Sequence, residues 1–391
     1  MDLEQAPLSL YVHLPWCVKK CPYCDFNSHE IGNSKVRDTE YVDALIRDLD
    51  FEAPKVRGRA VHSIFFGGGT PSLFATETLE KFLHACRAQL DLAEDVEITL
   101  EANPGAVDRD NFSGYRAIGI NRLSIGVQSF DTEKLAALGR IHDGDQARQA
   151  LESARQAGFD NINVDIMYGL PGQSPQQALN DLHLAIAQQP AHISWYQLNI
   201  EPNTQFYSNT PKLPGHDVLC TMQDEGLSLM SASHFQRYEI SAFSQGGKAC
   251  RHNLNYWNYG DYLGLGAGAH AKLSNEEDGN ITRYRRHRIP AAYMDSAGSS
   301  AVLVSATSIE GEERILEFML NALRLKQGFT ETMFRSRTGL GIEVLESRLE
   351  RAVNRGLLLR EDAQIRPSEK GLDFLNDLLE LFMPNQSAAQ G

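Results

Sequence analysis

Over its first 200 residues the chain alternates between two hydrophobic periods. Apolar, β-branched runs ending in Gly, Pro, Asn or Asp are each followed by an amphipathic stretch of helical period. The runs are Leu8–Leu14, Val61–Phe66, Val96–Glu101, Arg122–Val127, Ile162–Ile166 and Ile193–Leu198. The helical stretches are Thr39–Glu52, Thr76–Leu90, Arg109–Ile118, Thr132–Leu138, Gly144–Ala157 and Pro175–Gln189. Six strand–helix units in succession predict an α/β fold with a parallel sheet wrapped by helices. An open doubly wound sheet and a partial TIM-like (β/α)6 barrel both satisfy this pattern, and spacing does not choose between them.

The alternation ends near residue 200, which divides the chain into a 1–200 core, a 201–300 extension and a 301–391 C-terminal unit. The extension reads as loop-rich, with a Gly-rich run Leu263–His270 and a basic cluster Arg283, Arg285, Arg286 and Arg288. The C-terminal unit reads as helices Glu310–Leu325, Thr330–Arg337 and Ile342–Arg355, strands Leu357–Arg360 and Gln364–Arg366, and a closing helix Glu369–Phe382. That order predicts a small winged-helix-like α+β domain, followed by a frayed tail at 384–391. Such domains often bind DNA, but the net charge is 37 − 51 = −14, so nucleic acid is not an expected partner.

No run of 18 apolar residues occurs, and Met1–Leu10 has no basic segment ahead of its apolar stretch. A cytoplasmic location is therefore expected, and a reducing cytosol keeps the six cysteines as thiols. Cys86 and Cys220, lying alone, are expected to be buried small hydrophobes. Cys17, Cys21 and Cys24 fall within eight residues, directly after the first strand. Clustered thiolates select zinc, copper(I) or iron–sulfur clusters. A zinc site needs a fourth ligand, for which His13 and His29 are candidates. A [4Fe–4S] cluster held by three cysteines leaves one iron open to a small-molecule chelator.

The Cys-x3-Cys-x2-Cys spacing, with Tyr23 before the third cysteine, resembles the signature of the radical S-adenosylmethionine (SAM) superfamily. The resemblance implies a partial (β/α)6 barrel in which SAM chelates the open iron and is cleaved to a 5′-deoxyadenosyl radical. Gly67-Gly68-Gly69-Thr70-Pro71 resembles the family's SAM-binding glycine motif, where the absence of Cβ lets backbone approach a ligand. Within the superfamily the chain is most similar to the coproporphyrinogen III dehydrogenase group, which includes a heme-chaperone branch. Carried over by position, Tyr11, Tyr23, Gly68, Gly69, Thr70, Glu101, Gln128, Arg140 and Asp165 match SAM-contacting residues of that group.

Two departures separate the chain from the enzyme of that group. The enzyme resembles Cys-x3-Cys-x2-Cys-x-Cys, whereas position 26 here is Phe, and only about ten residues precede the first strand. His252-Asn-Leu-Asn-Tyr256-Trp257 instead resembles the HNxxYW motif of the heme-chaperone branch. The expected function is therefore to hold heme and pass it to apo-hemoproteins, with oxygen-independent coproporphyrinogen III oxidation as the alternative. His252 is the expected heme ligand, and Cys250 and His270 are secondary candidates. The Arg283–Arg288 cluster reads as a solvated charged face, as a partner for heme propionates or for an acidic partner, or as a dock for an anionic membrane surface. The expected partners are heme, client apo-hemoproteins and a heme donor at the inner face of a membrane.

Overall fold

A computed structural model describes residues 5–32, 36–106 and 109–384. Residues 385–391 of the tail and Met1–Glu4 lie outside the described residues. The elements of the first half are β1 (Leu8–Leu14), α1 (Asp38–Glu52), β2 (Ala60–Gly68), α2 (Thr76–Gln89), β3 (Asp91–Ala102), α3 (Arg109–Ala117), β4 (Arg122–Gln128), α4 (Thr132–Ala137), α5 (Gly144–Gln156), β5 (Ile162–Tyr168), α6 (Pro175–Ala187) and β6 (His192–Gln197). Local chemistry fixes several starts. Asp143 and Gln146 form a reciprocal capping box on α5, and Ser174 and Gln177 form another on α6, with Pro175 at its first position.

The six strands pair in parallel in chain order, and the sheet does not close on itself. This is a partial barrel. The period of two along each strand divides its environment. On β1, Leu8, Leu10, Val12 and Leu14 are buried, within the same core as Tyr41, Val42, Leu45 and Leu49 of α1. The alternate residues Ser9, Tyr11 and His13 point inward, where they meet polar neighbours: Ser9 Oγ lies 2.7 Å from Ser63 Oγ.

The residues read as a loop-rich extension are largely regular. They form α7 (His216–Ala232), β7 (Gln236–Arg237), β8 (Ala242–Ser244), α8 (Arg251–Trp257), β9 (Asp261–Leu265), β10 (His270–Asn275), β11 (Asn280–Arg286) and α9 (Pro290–Ser296). Continued by β12 (Leu303–Ser308), they complete a twelve-stranded sheet ordered β12-β11-β10-β9-β1-β2-β3-β4-β5-β6-β8-β7. β9 is a seventh parallel strand, laid against the free edge of β1. Its glycines disguised it as a loop. Gly264 is required by packing, because a Cβ there would sit 1.7 Å from the His270 carbonyl oxygen.

The basic cluster does not form one solvated face. Alternation on β11 sends Arg283 and Arg285 to one side and Arg286 to the other. Arg286 is fully buried, with Nε 2.7 Å from Asp48 Oδ2 and Nη2 3.0 Å from Glu52 Oε1. Arg283 pairs with Glu317 at 2.7 Å, and only Arg285 and Arg288 are exposed. Cys220 also departs from expectation. It is exposed on α7, with Sγ 3.6 Å from His216 Nε2, while Cys86 is buried.

The C-terminal unit contains α10 (Gly311–Ala322), β13 (Phe329–Thr330), α11 (Glu331–Thr338), α12 (Glu346–Asn354), β14 (Leu358–Glu361) and β15 (Gln364–Pro367). Its three-stranded wing has the order β13-β15-β14. Phe318 stands edge-on to Phe329 and Phe334, each at 5.1 Å, at the centre of a separate apolar core. The expected closing helix is broken at Phe374 into α13 (Glu369–Asp373) and α14 (Leu375–Glu380). Arg283–Glu317 and Arg324–Glu239 join this unit to the barrel side.

Candidate functional site

The C-terminal ends of the parallel strands form the mouth of the barrel, where ligand-binding groups of such folds collect. The cysteine loop leaves β1 there. Cys17 is buried, with Sγ 3.8 Å from the His29 carbonyl, and Cys24 Sγ lies 3.6 Å from Ser28 Oγ. Arg140 directs Nη1 to Cys21 Sγ at 3.7 Å and donates through Nη2 to the Gly126 carbonyl at 2.7 Å. Its Nε is buried without a hydrogen-bond partner among the described residues. Burial pushes the Cys17 thiol up to about 11 and raises that of Cys24, so thiolates here need a bound cation to stabilise them.

His13 is not free to close a zinc site with these thiols, because both of its ring nitrogens are engaged. The Nε2–H of His13 donates to the Asn27 carbonyl at 2.9 Å, leaving Nδ1 to accept from Tyr11 OH at 3.0 Å. His29 Nε2 lies 3.3 Å from Asn27 Oδ1. Among the described residues no three His, Cys, Asp or Glu side chains converge on a point suited to one metal ion. A four-iron cluster spreads its thiolates over separate irons, so the donor set of three cysteines suits it without such convergence.

Beside the cysteines, the glycine loop is held by its own chain. Gly69 N donates to the Leu14 carbonyl at 2.8 Å, and Thr70 N donates to the Trp16 carbonyl at 2.7 Å. Gly68 has φ +118°, and a Cβ there would lie 2.7 Å from the His13 ring; one on Gly69 would lie 2.4 Å from the Trp16 carbonyl oxygen. Beside the ligand approach expected from the sequence, these glycines have a packing role of their own. They admit the loop that carries the cysteines.

Glu101, at the end of β3, accepts from Gly68 N at 3.1 Å. Burial, and then the neighbouring Asp165, push its carboxyl up to about 7. Asp165 is raised by burial too, while accepting from Asn163 Nδ2 at 2.8 Å and Ser124 Oγ at 3.1 Å. Gln128 ends β4 at φ +69°, a strained conformation for a non-glycine residue, and its Oε1 accepts from Tyr196 OH at 2.7 Å. Tyr23 packs on Phe206, 6.3 Å between ring centres. The mouth therefore brings together Tyr11, Tyr23, Gly68, Gly69, Thr70, Glu101, Gln128, Arg140 and Asp165 around the cysteine loop. Sequence reasoning missed Tyr196, Asn163 and Ser124. The signal was available, because they are polar residues at inward-facing alternate positions of apolar strands.

α8, which carries the HNxxYW motif, lies inside the barrel below the mouth. His252 is 1% exposed and both ring nitrogens are engaged, Nδ1 with Ser63 Oγ and Nε2 with Tyr256 OH, each at 3.0 Å. Burial, and then the Arg122 charge, push its imidazole down to about 3. Its one lone pair is already accepting a hydrogen bond, so in this structure it offers iron nothing. Cys250 is likewise enclosed, with Sγ 3.7 Å from Glu97 Oε1. The placement of both residues runs against their expected roles as heme ligands. His270 lies elsewhere, exposed at the start of β10.

The combination of a partial barrel, a three-cysteine loop and a glycine turn at its mouth defines the radical SAM class. A profile of the radical SAM superfamily matches residues 11–185, and a profile of the HemN C-terminal domain matches residues 309–374. The heme chaperone HemW of Escherichia coli is 46% identical over 381 residues, 97% of this chain and 99% of the relative. HemW of Bacillus subtilis is 31% identical over 382 residues, 96% and 99% respectively. The solved coproporphyrinogen III oxidase (HemN) of Escherichia coli has a TM-score of 0.81 at 22% identity, covering 97% of this chain and 90% of that one, a likeness of fold. The chain belongs to the HemW family of heme chaperones, within the radical SAM superfamily.

Proposed function

We propose that this chain binds heme and delivers it to apo-hemoproteins, while carrying a [4Fe–4S] cluster and SAM at the barrel mouth. The observation that carries the proposal is full-length similarity to relatives named as heme chaperones, 46% identical in one case. In this reading Cys17, Cys21 and Cys24 hold three irons of the cluster. Tyr11, Tyr23, Gly68, Gly69, Thr70, Glu101, Gln128, Arg140 and Asp165 form the SAM surface. A bound cluster and SAM supply one-electron chemistry.

The chain's own part is electrostatic and steric. Arg140 sets a fixed positive charge beside the Cys21 sulfur. Glu101 and Asp165 form a buried acidic pair whose ionised form a cationic ligand stabilises. Phe26 replaces a potential fourth thiol with an apolar ring that is 63% exposed. Among the described residues no helix is long and apolar enough to cross a membrane. A cytoplasmic carrier that receives heme at a membrane surface fits that observation.

The test is anaerobic reconstitution followed by two assays on one preparation. Heme binding without coproporphyrinogen III consumption, with reduced cluster and excess SAM, is the expected result. Sustained decarboxylation of coproporphyrinogen III would replace the carrier with the oxidase.

A further inference from the structure

We propose that the exposed rim formed by His270, Arg285, Arg288, Phe26 and Ile289 is the docking surface for heme, with His270 as the iron ligand. This deepens the carrier reading and rests on it.

The rim is built by register. His270 opens β10 and pairs with Arg285 of β11, so the two side chains leave the same face of the sheet. Lys272 and Arg283 follow on that face and turn to internal partners, Asp261 at 2.8 Å and Glu317 at 2.7 Å. His270 and Arg285 stay exposed where the sheet reaches the mouth. Arg285 bonds only laterally, from Nε to Ser305 Oγ at 3.0 Å. Neither ring nitrogen of His270 has a hydrogen-bond partner among the described residues.

Asn27 ties this rim to the cysteine loop. Its Nδ2 donates to the Ala267 carbonyl at 2.9 Å and to the Arg288 carbonyl at 2.8 Å, and Gly268 N donates to the His287 carbonyl at 2.7 Å. Phe26 precedes Asn27 and Ile289 follows Arg288, so the two apolar side chains stand on neighbouring, bonded segments. At 63% and 64% they are the most exposed large hydrophobic residues among those described.

Heme presents three kinds of chemistry: a flat apolar ring, two propionates and a Lewis-acidic iron. The rim offers the complement of each. Phe26 and Ile289 supply apolar contact, Arg285 and Arg288 supply guanidinium donors, and His270 supplies an imidazole. Partial desolvation of the ring and the charges of Arg285, Arg283 and Arg288 hold that imidazole below its usual range, which leaves it neutral and able to ligate at neutral pH. The local positive charge stands out on a chain of net charge −14, as an anionic ligand requires.

The test is ferric-heme titration of the full-length, cluster-loaded protein, read by difference absorption in the Soret region. His270→Ala should move the Soret band and weaken binding at least about tenfold, while helical content and cluster iron stay unchanged. His270→Met should retain binding with a different band position, which a merely structural residue would not produce. Arg285→Ala/Arg288→Ala should weaken heme binding about three- to tenfold, and the loss should vanish with heme dimethyl ester, whose propionates are capped. His183→Ala, an exposed imidazole on α6, should match wild type. Wild-type band and affinity in His270→Ala would overturn the site and spare the carrier reading. No heme binding by the wild-type protein would overturn both.

Discussion

His252 and His270 lie 18 residues apart and meet opposite fates. His252 sits on α8 inside the barrel, 1% exposed, with both nitrogens engaged by Ser63 and Tyr256. His270 stands on the rim, exposed, between guanidinium groups. The first carries the motif that makes it the expected ligand, and the second, closing a glycine-rich run, is only a secondary candidate in the sequence. The proposed heme site reverses that order. A buried imidazole in a saturated hydrogen-bond network specifies how α8 fills the barrel, whereas a ligand must keep a lone pair free.

The same contrast separates the mouth, where cofactors are proposed to sit, from the interior below it. The largest effect should follow from the thiols. Substituting Cys17, Cys21 and Cys24 together by Ser should remove essentially all cluster iron, measured by iron analysis and by sulfur-to-iron absorption. Cys250→Ser should retain it, and iron loss there would erase the distinction between the two regions.

Gly69→Val should come next. Its side chain would press on the Trp16 carbonyl, so the cysteine loop should undock at a cost of about 3 kcal/mol. Urea unfolding would detect this. A variant of wild-type stability that fails only in SAM binding would restore the simpler ligand-approach explanation.

Glu101 gives a pH signature. Its folded pKa, about 7, lies above the ordinary carboxyl value, so between roughly pH 4.5 and 7 the folded state binds more protons than the unfolded state. Stability of the ligand-free protein should fall as pH rises through that window and level off above it. Glu101→Gln should remove up to about 2–3 kcal/mol of that decline. An unchanged profile in denaturant melts would show that Glu101 is not the group responsible.

Within the interior, His252→Ala should cost about 2 kcal/mol by stranding buried hydroxyls, and Tyr256→Phe about 1 kcal/mol by removing one hydrogen bond. Thermal melts measure both. A stable His252→Ala protein with a shifted heme spectrum would exchange the roles of the two histidines.

Much of this was legible in the sequence. β1 and the beginnings of β4, β5, α2, α5 and α6 follow from hydrophobic period and caps, because those signals are local. The cysteine loop was legible because three thiols so close together have few other uses. β9 was hidden by glycines that only the neighbouring His270 backbone explains. The division of the arginines was hidden because the partners of Arg286, Asp48 and Glu52, lie more than 230 residues earlier. The position of α8 depended on the inward polar residues of strands far away in the chain. Local patterns carry elements and motifs, whereas the state of a histidine depends on contacts that no local pattern contains.

The carrier account meets its most direct test in heme transfer. The cluster-loaded protein, charged with one heme and freed of excess, is mixed anaerobically with an apo-hemoprotein, and the Soret spectra of the separated partners are followed. The account predicts that heme leaves this chain and appears in the acceptor with the acceptor's native spectrum, while coproporphyrinogen III added in parallel stays intact. Heme that remains on the chain while coproporphyrinogen III is steadily decarboxylated would contradict it.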